Sequence, residues 1–289
     1  TDSSSGNKIM ISGNVVHNST TQITKDITLE GLSNGTLSPN INRIGFARMF
    51  EISTVDLTVS FKDLAFSENT GTTAEGSVFN MSGNSDVTFT NVTFQGNSST
   101  LNGGAVHATN GNLTFLNTTF YNNSSGNANN NGAGGGLFLS GPSTVANITN
   151  STFFENTITR TDLNFGAAIR VENEATANVT NSLIYNNKAN NGAGGNSDVM
   201  GTPTSGRTIT NSILQYTNNT GSGSYTNNNS TITDSDFLAT SNLVWNETLN
   251  KVTFSAPDAL TNDTPIDFGT DISDVGAYDS KINIFEANT

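Results

Sequence analysis

A repeat of about thirty residues constrains this chain more than any other feature. It is marked by Asp63-Leu-Ala-Phe66, Asn91-Val-Thr-Phe94, Asn117-Thr-Thr-Phe120, Asn150-Ser-Thr-Phe153, Asn181-Ser-Leu-Ile184 and Asn211-Ser-Ile-Leu214, whose first residues are 28, 26, 33, 31 and 30 positions apart. Six residues after each start a second Asn falls in phase, at Asn69, Asn97, Asn123, Asn156 and Asn187, with Thr217 in the last copy. A third column reads small, small, apolar, any, apolar: Gly76-Ser-Val-Phe-Asn-Met81, Gly103-Gly-Ala-Val-His-Ala108, Gly134-Gly-Gly-Leu-Phe-Leu139 and Gly166-Ala-Ala-Ile-Arg-Val171.

Inside each unit, short segments alternate apolar and polar residues, the period of a strand with one face inward. Val87 and Phe89 face in while Thr88 and Thr90 face out, and Ala146 and Ile148 repeat this against Asn147 and Thr149. Units so short, without hairpin signals, do not fit propeller blades. They predict an all-β fold, a right-handed parallel β-helix of roughly seven to nine coils with divergent terminal coils or caps. Equivalent positions then stack at about 4.8 Å. Phe66, Phe94, Phe120 and Phe153 are expected to form an inward column. The two Asn columns, Asn91, Asn117, Asn150 and Asn181 and then Asn97, Asn123, Asn156 and Asn187, are expected to form inward amide ladders, because an amide both donates and accepts. The insertions from Asn122 to Gly134 and from Arg160 to Phe165 are expected to loop out. The chain divides into N-terminal coils and cap (1–55), regular repeats (56–217) and divergent C-terminal coils and cap (218–289, with Trp245), all in one continuous domain.

Composition narrows the function. Hydrophobic residues make up 33% and charged residues 12% of the chain, yet seventeen Phe recur in phase, so a core is being built. A net charge of −13 with eleven cations leaves no surface for tracking phosphates, which argues against nucleic acid as a partner. With no Cys, disulfides, iron–sulfur clusters and thiolate zinc sites are excluded. No apolar run reaches the length of a membrane span. A start at Thr1 fits a removed signal peptide or a trimmed chain. The expected location is extracellular or on the cell surface.

Parallel β-helices also carry polysaccharide-cleaving enzymes, whose sites lie on outward strand columns. The matching column here reads Asn80, His107, Phe138, Arg170 and Asp198. His107 as base and Arg170 as charge stabiliser would suit a uronate. Two coils separate them, however, and exposed structural side chains are the competing reading. Glu155, Asp162, Glu172 and Glu174 would serve glycoside hydrolysis only if the 160s loop folded back. His17 stands alone and supports no triad or His-based metal site. Asp267, Asp271 and Asp274, within an acidic C-terminal stretch, are candidates for a structural Ca²⁺, against a solubilising cap. The runs Gly132 to Gly136 and Gly192 to Gly195 lack the helix and Lys of a phosphate loop. Asn-x-Ser/Thr occurs seventeen times, a small excess over the about twelve expected from composition. Asn18, Asn34, Asn147, Asn178, Asn228 and Asn246 are the outward or loop candidates for glycosylation.

The Gly103-Gly-Ala-Val106 segment and the four Phe-x-x-Asn units (Phe66 to Asn69, Phe94 to Asn97, Phe120 to Asn123, Phe153 to Asn156) resemble the repeats of chlamydial-type polymorphic outer-membrane adhesins and Asn/Thr-rich adhesin-like proteins of methanogens. Asp274-Val-Gly-Ala-Tyr278 is similar to the ending of choice-of-anchor surface β-helix proteins. The resemblance spans about residues 20 to 280 and implies an exported surface protein, with no catalytic residue carried over. No autotransporter barrel or sorting tail matches. The expected function is a non-catalytic structural or adhesive surface protein, in a filament or sheath, whose partners are copies of itself, other surface proteins or glycans. The alternatives are a polysaccharide-active enzyme and, third, a carbohydrate- or ice-binding face built on Thr90, Thr149, Thr180 and Thr210, which Leu116 interrupts.

Overall fold

A computed structural model describes residues 7–214, apart from 33–37, 44–45, 128–131, 160–165, 190–198, 202–204 and 211, and beyond 214 only 230–233, 236–237, 243–246 and 251–254. Among these residues the chain is a parallel β-solenoid without helix. One coil shows the plan. Asp86–Thr90 lies in the first sheet, Thr93–Gln95 in the second, Ser98–Ser99 in a narrow third, and Val106–Ala108 in the fourth. Each pairs in parallel with its equivalents one repeat away. The first and second sheets have nine strands each and the fourth has seven. Seven layers enclose six steps, so the complete solenoid makes about six turns, slightly fewer than expected. The terminal coils carry only some of the strands, which accounts for the difference. The strands of residues 7–52 join these same sheets, and Leu243–Asn246 and Lys251–Phe254 form a separate antiparallel pair.

Two phenylalanine columns fill the core. Phe66, Phe94, Phe120 and Phe153 stack with centroid spacings of 5.5, 4.7 and 4.4 Å. Phe61, Phe89 and Phe115 stack beside them at 5.0 and 5.1 Å, meeting the first column edge-on. All seven are fully buried. Each contributes about 1.5–3 kcal/mol by leaving water, and ring pairing adds about 0.5–1.5 kcal/mol per pair. The chain thus builds a core from few apolar residues because those few are large and in register.

The corner between the first and second sheets corrects one expectation. Asn91, Asn117, Asn150 and Asn181 have φ of 54°, 52°, 51° and 50°, the left-handed region that Asn tolerates. This turns their side chains outward: Asn91 is exposed and the others half-buried. Some join along the surface, Asn91 Nδ2 donating to Asp63 (2.7 Å) and Asn181 Nδ2 to Asn150 (2.6 Å). The inward position belongs to the next residue, where the hydroxyls of Ser151, Ser182 and Ser212 accept from the amides of Thr118, Ser151 and Ser182.

The other Asn column is the buried ladder. Asn69, Asn97, Asn123, Asn156 and Asn187 are fully enclosed. Asn123 shows the unit: its Nδ2 donates to Phe94 O (2.9 Å) and Asn156 Oδ1 (2.9 Å), while its Oδ1 accepts from the backbone N (3.1 Å) and Nδ2 (3.0 Å) of Asn97. Asn156 repeats these bonds with Phe120 and Asn187. The column therefore satisfies backbone groups at a corner that has no strand pairing of its own.

The first glycines of the small-residue column, Gly76, Gly103, Gly134 and Gly166, have φ of 62°, 67°, 64° and 59°. They turn the chain into the fourth sheet, and a Cβ on Gly103 would lie 2.3 Å from Val106 O.

Candidate functional site

The outward column of the fourth sheet brings carboxylate, amide, imidazole and guanidinium groups into one line. Its register runs Gln22, Glu51, Asn80, His107, Phe138, Arg170, Met200. The neighbour of Arg170 is thus Met200 rather than Asp198, which lies outside the described residues. Alternation on each short strand decides the facing: Val106 and Ala108 enter the core, so His107 points away from it.

Pointing away from the core does not expose these groups. His107 is 3% and Arg170 7% accessible, which corrects the expectation of exposed polar side chains. The Phe138 ring lies parallel to the imidazole at 5.0 Å. The backbones of Gly76 and Gly103 crowd it from the side, where a Cβ on either would come within 3.0 Å of His107 Cβ.

Hydrogen bonds set the tautomer. Asn80 Nδ2 donates to Glu51 Oε1 (3.4 Å), so Asn80 Oδ1 accepts from His107 Nδ1–H at 2.7 Å. Glu51 in turn is held by Gln22 (2.7 Å) and Arg48 (3.3 Å). Burial first, and the nearby Arg48 guanidinium second, push His107 down to about 3. With the ring neutral and Nδ1 protonated, Nε2 carries no proton and makes no hydrogen bond to Glu75 Oε2, 3.4 Å away. Such a base is poorly matched to proton abstraction near neutral pH. Arg170 Nε donates to Glu172 Oε1 at 2.8 Å, and two layers, or about 10 Å, separate it from His107. The sequence reading missed Arg48, Glu51 and Glu75, whose closeness to His107 arises only across coils; the Glu75-Gly76 junction, one coil back, was the available signal.

Acidification is therefore expected to destabilise the protein through His107. The unfolded ring takes a proton near 6.5 and the folded ring only near 3. This contribution leaves stability untouched above 6.5, and removes stability progressively as pH falls from there towards 3. His107→Gln, which keeps a donor for Asn80, should flatten that part of a melting-temperature profile. An unchanged slope would show that His107 is not the group responsible.

The other expected groups do not converge. Glu155 accepts from Asn186 at 3.0 Å at a corner of the coil, Glu172 pairs with Arg170 at the end of a strand, and Glu174 lies exposed in a turn. Asp162, and with it Asp267, Asp271 and Asp274, lies outside the described residues. Among the described residues no three His, Asp or Glu side chains cluster as metal ligands. His17 bonds to Thr21 (3.0 Å) and packs against Phe50, and burial and Arg43 lower its pKa.

The broad outer face is that of the first sheet. Its register aligns Thr90, Leu116, Thr149, Thr180 and Thr210 in one column, and Thr88, Thr114, Asn147, Asn178 and Thr208 in the next. Of the glycosylation candidates, Asn18 and Asn147 are exposed, while Asn178 is half-buried and donates to Asn147 at 3.0 Å. Asn246 ends the strand Leu243–Asn246, and Asn34 and Asn228 lie outside the described residues. Asn91, read as inward, is an exposed Asn-Val-Thr site. Among the described residues no helix is long and apolar enough to cross a membrane.

The class these features define is a parallel β-solenoid with amide and aromatic ladders. No protein-family model, curated protein or solved structure matches the chain.

Proposed function

We propose that this chain is a non-catalytic structural or adhesive protein of the cell surface or extracellular space, working through the periodic outer face of its solenoid. The observation that carries this reading is the placement of the reactive groups. His107 and Arg170 are sealed and two layers apart, whereas the outward columns of the first sheet from Thr88 and Thr90 onward are Thr and Asn side chains in register, interrupted by Leu116. A surface of hydroxyls and amides repeating at about 4.8 Å offers hydrogen bonds to glycans or neighbouring proteins without a pocket. Asn18, Asn91 and Asn147 are exposed and each begins an Asn-x-Ser/Thr segment, which supports them as proposed glycosylation sites in an exporting host. Mass analysis of the native material should show added hexose-containing mass; the bare polypeptide mass would remove that part.

Screening acidic and neutral polysaccharides tests the main reading. The expected outcome is binding to some, lost when Thr149 and Thr180 are both replaced with bulky Lys, with no cleavage products. Cleavage abolished by His107→Gln or Arg170→Ala would establish the polysaccharide-active alternative and overturn the proposal.

A further inference from the structure

We propose that His107 and Glu75 hold one divalent cation of the zinc class between imidazole Nε2 and carboxylate Oε2, tying a turn of one coil to the fourth sheet of the next. The site is separate from the surface reading above, which holds with or without it.

Two acceptors face each other here. The ring Nδ1–H is committed to Asn80 Oδ1 (2.7 Å), so the Nε2 lone pair meets Glu75 Oε2 at 3.4 Å with no proton between them. The other carboxylate oxygen is already engaged, because Asn102 Nδ2 donates to Glu75 Oε1 at 3.3 Å. His107 is only 3% accessible, and a buried acceptor left without a donor is unfavourable. A cation between the two atoms replaces their repulsion with two bonds.

The distance selects the class of cation. Zinc binds imidazole nitrogen and carboxylate oxygen at about 2.0–2.2 Å with tetrahedral angles, which sets two ligand atoms about 3.4 Å apart. Glu75 and His107 hold that separation without moving. Calcium and magnesium prefer larger sets of oxygen ligands, whereas imidazole suits zinc and its late first-row neighbours.

The surroundings fit a ligand histidine. Such a ring gives its other N–H to an acceptor that fixes its tautomer and orientation. That acceptor is Asn80, oriented by Glu51, which Gln22 and Arg48 hold in turn. The local charge favours a cation, since the carboxylates of Glu51 and Glu75 outnumber the single guanidinium of Arg48 near the ring. The Glu75 side chain is 38% accessible and gives a path inward from solvent. No third His, Asp or Glu joins the pair among the described residues, so water completes the coordination. With two protein ligands rather than four, the dissociation constant is on the order of 10 µM.

Calorimetric titration of the full chain with zinc chloride, near neutral pH in a buffer that does not chelate, tests the site. One equivalent should bind. A hundredfold excess over the dissociation constant should raise the melting temperature by about 5 °C, and magnesium chloride should do neither. Glu75→Gln and His107→Gln should each weaken zinc binding at least about tenfold. Glu75 is half open to water, so its variant keeps the test valid even where the His107 variant folds poorly, and circular dichroism checks both. His17→Gln, at the other histidine of the chain, and Glu174→Gln, at an exposed carboxylate, should bind as the parent does.

No binding by the parent overturns the proposal and shows that Nε2 carries a proton and donates to Glu75. Binding undiminished in Glu75→Gln, or lost in His17→Gln, also overturns it in favour of adventitious surface coordination. None of these results bears on the polysaccharide screen, so the two readings fail separately.

Discussion

Replacing Asn123 with Leu is expected to destabilise the protein by about 4 kcal/mol, whereas replacing Asn91 with Gly should change stability by less than about 1 kcal/mol. Both residues are the Asn of a Phe-x-x-Asn or Asn-x-x-Phe unit, and both sit in columns that repeat at every coil. The difference lies in what each side chain satisfies. Asn123 makes four hydrogen bonds inside the protein, two of them with Phe94 O and the Asn97 amide. Leu has nearly the same shape and leaves Phe94 O and the Asn97 backbone amide without these bonds, at about 1–3 kcal/mol for each, whereas Asn156 Oδ1 keeps the backbone N–H of residue 123 and Asn97 Nδ2 keeps Phe66 O. Partial relaxation or a trapped water brings the total below the simple sum. Asn91 gives up two surface bonds that water replaces, and Gly accepts its φ of 54° without strain. Urea denaturation midpoints of the two variants decide the matter. Equal losses would show that the outer and inner ladders do the same work, and would remove the distinction drawn here.

Replacing Phe120 with Ala is expected to cost about 3–5 kcal/mol. Phe120 touches Phe94 on one side (4.7 Å) and Phe153 on the other (4.4 Å), with the Phe115 edge at 5.4 Å. Its removal opens a cavity between layers whose spacing is set by backbone hydrogen bonds, so neighbouring coils cannot move together to fill it. In a solenoid each layer is stabilised chiefly by its two neighbours. The loss should therefore appear first as reduced amide protection in the strands of Phe94 and Phe153, before that at the strand of Phe50. Tyr121 is the control. It neighbours Phe120 in sequence, faces out, and is only partly buried, so Tyr121→Ala should cost well under half as much. A loss of protection spread evenly over all layers would contradict the layered coupling.

Most of the architecture was legible along the chain because a solenoid turns a long-range problem into a local one. Once the repeat length is known, every inter-coil contact follows from adding about thirty residues. That is why the stacking of Phe94 on Phe120 and of Asn97 on Asn123 could be read before any coordinates. The facing of Asn91 could not. Alternation extrapolated from Thr90 makes Asn91 inward, but the left-handed conformation breaks the alternation at the corner, and only Val92 regains the core. His107 posed the opposite difficulty. Its outward direction was legible, while its burial was not, because the covering groups, Phe138, Gly76 and Gly103, come from different coils and their closeness depends on packing.

The order of residues alone determined that this is a stack of parallel coils with aromatic and amide columns, because period and phase are properties of the chain itself. The three-dimensional arrangement decided which Asn column is enclosed and which polar groups are shut away from solvent. Those outcomes depend on backbone turns at the corners and on how neighbouring coils cover one another, and neither is written in any single repeat.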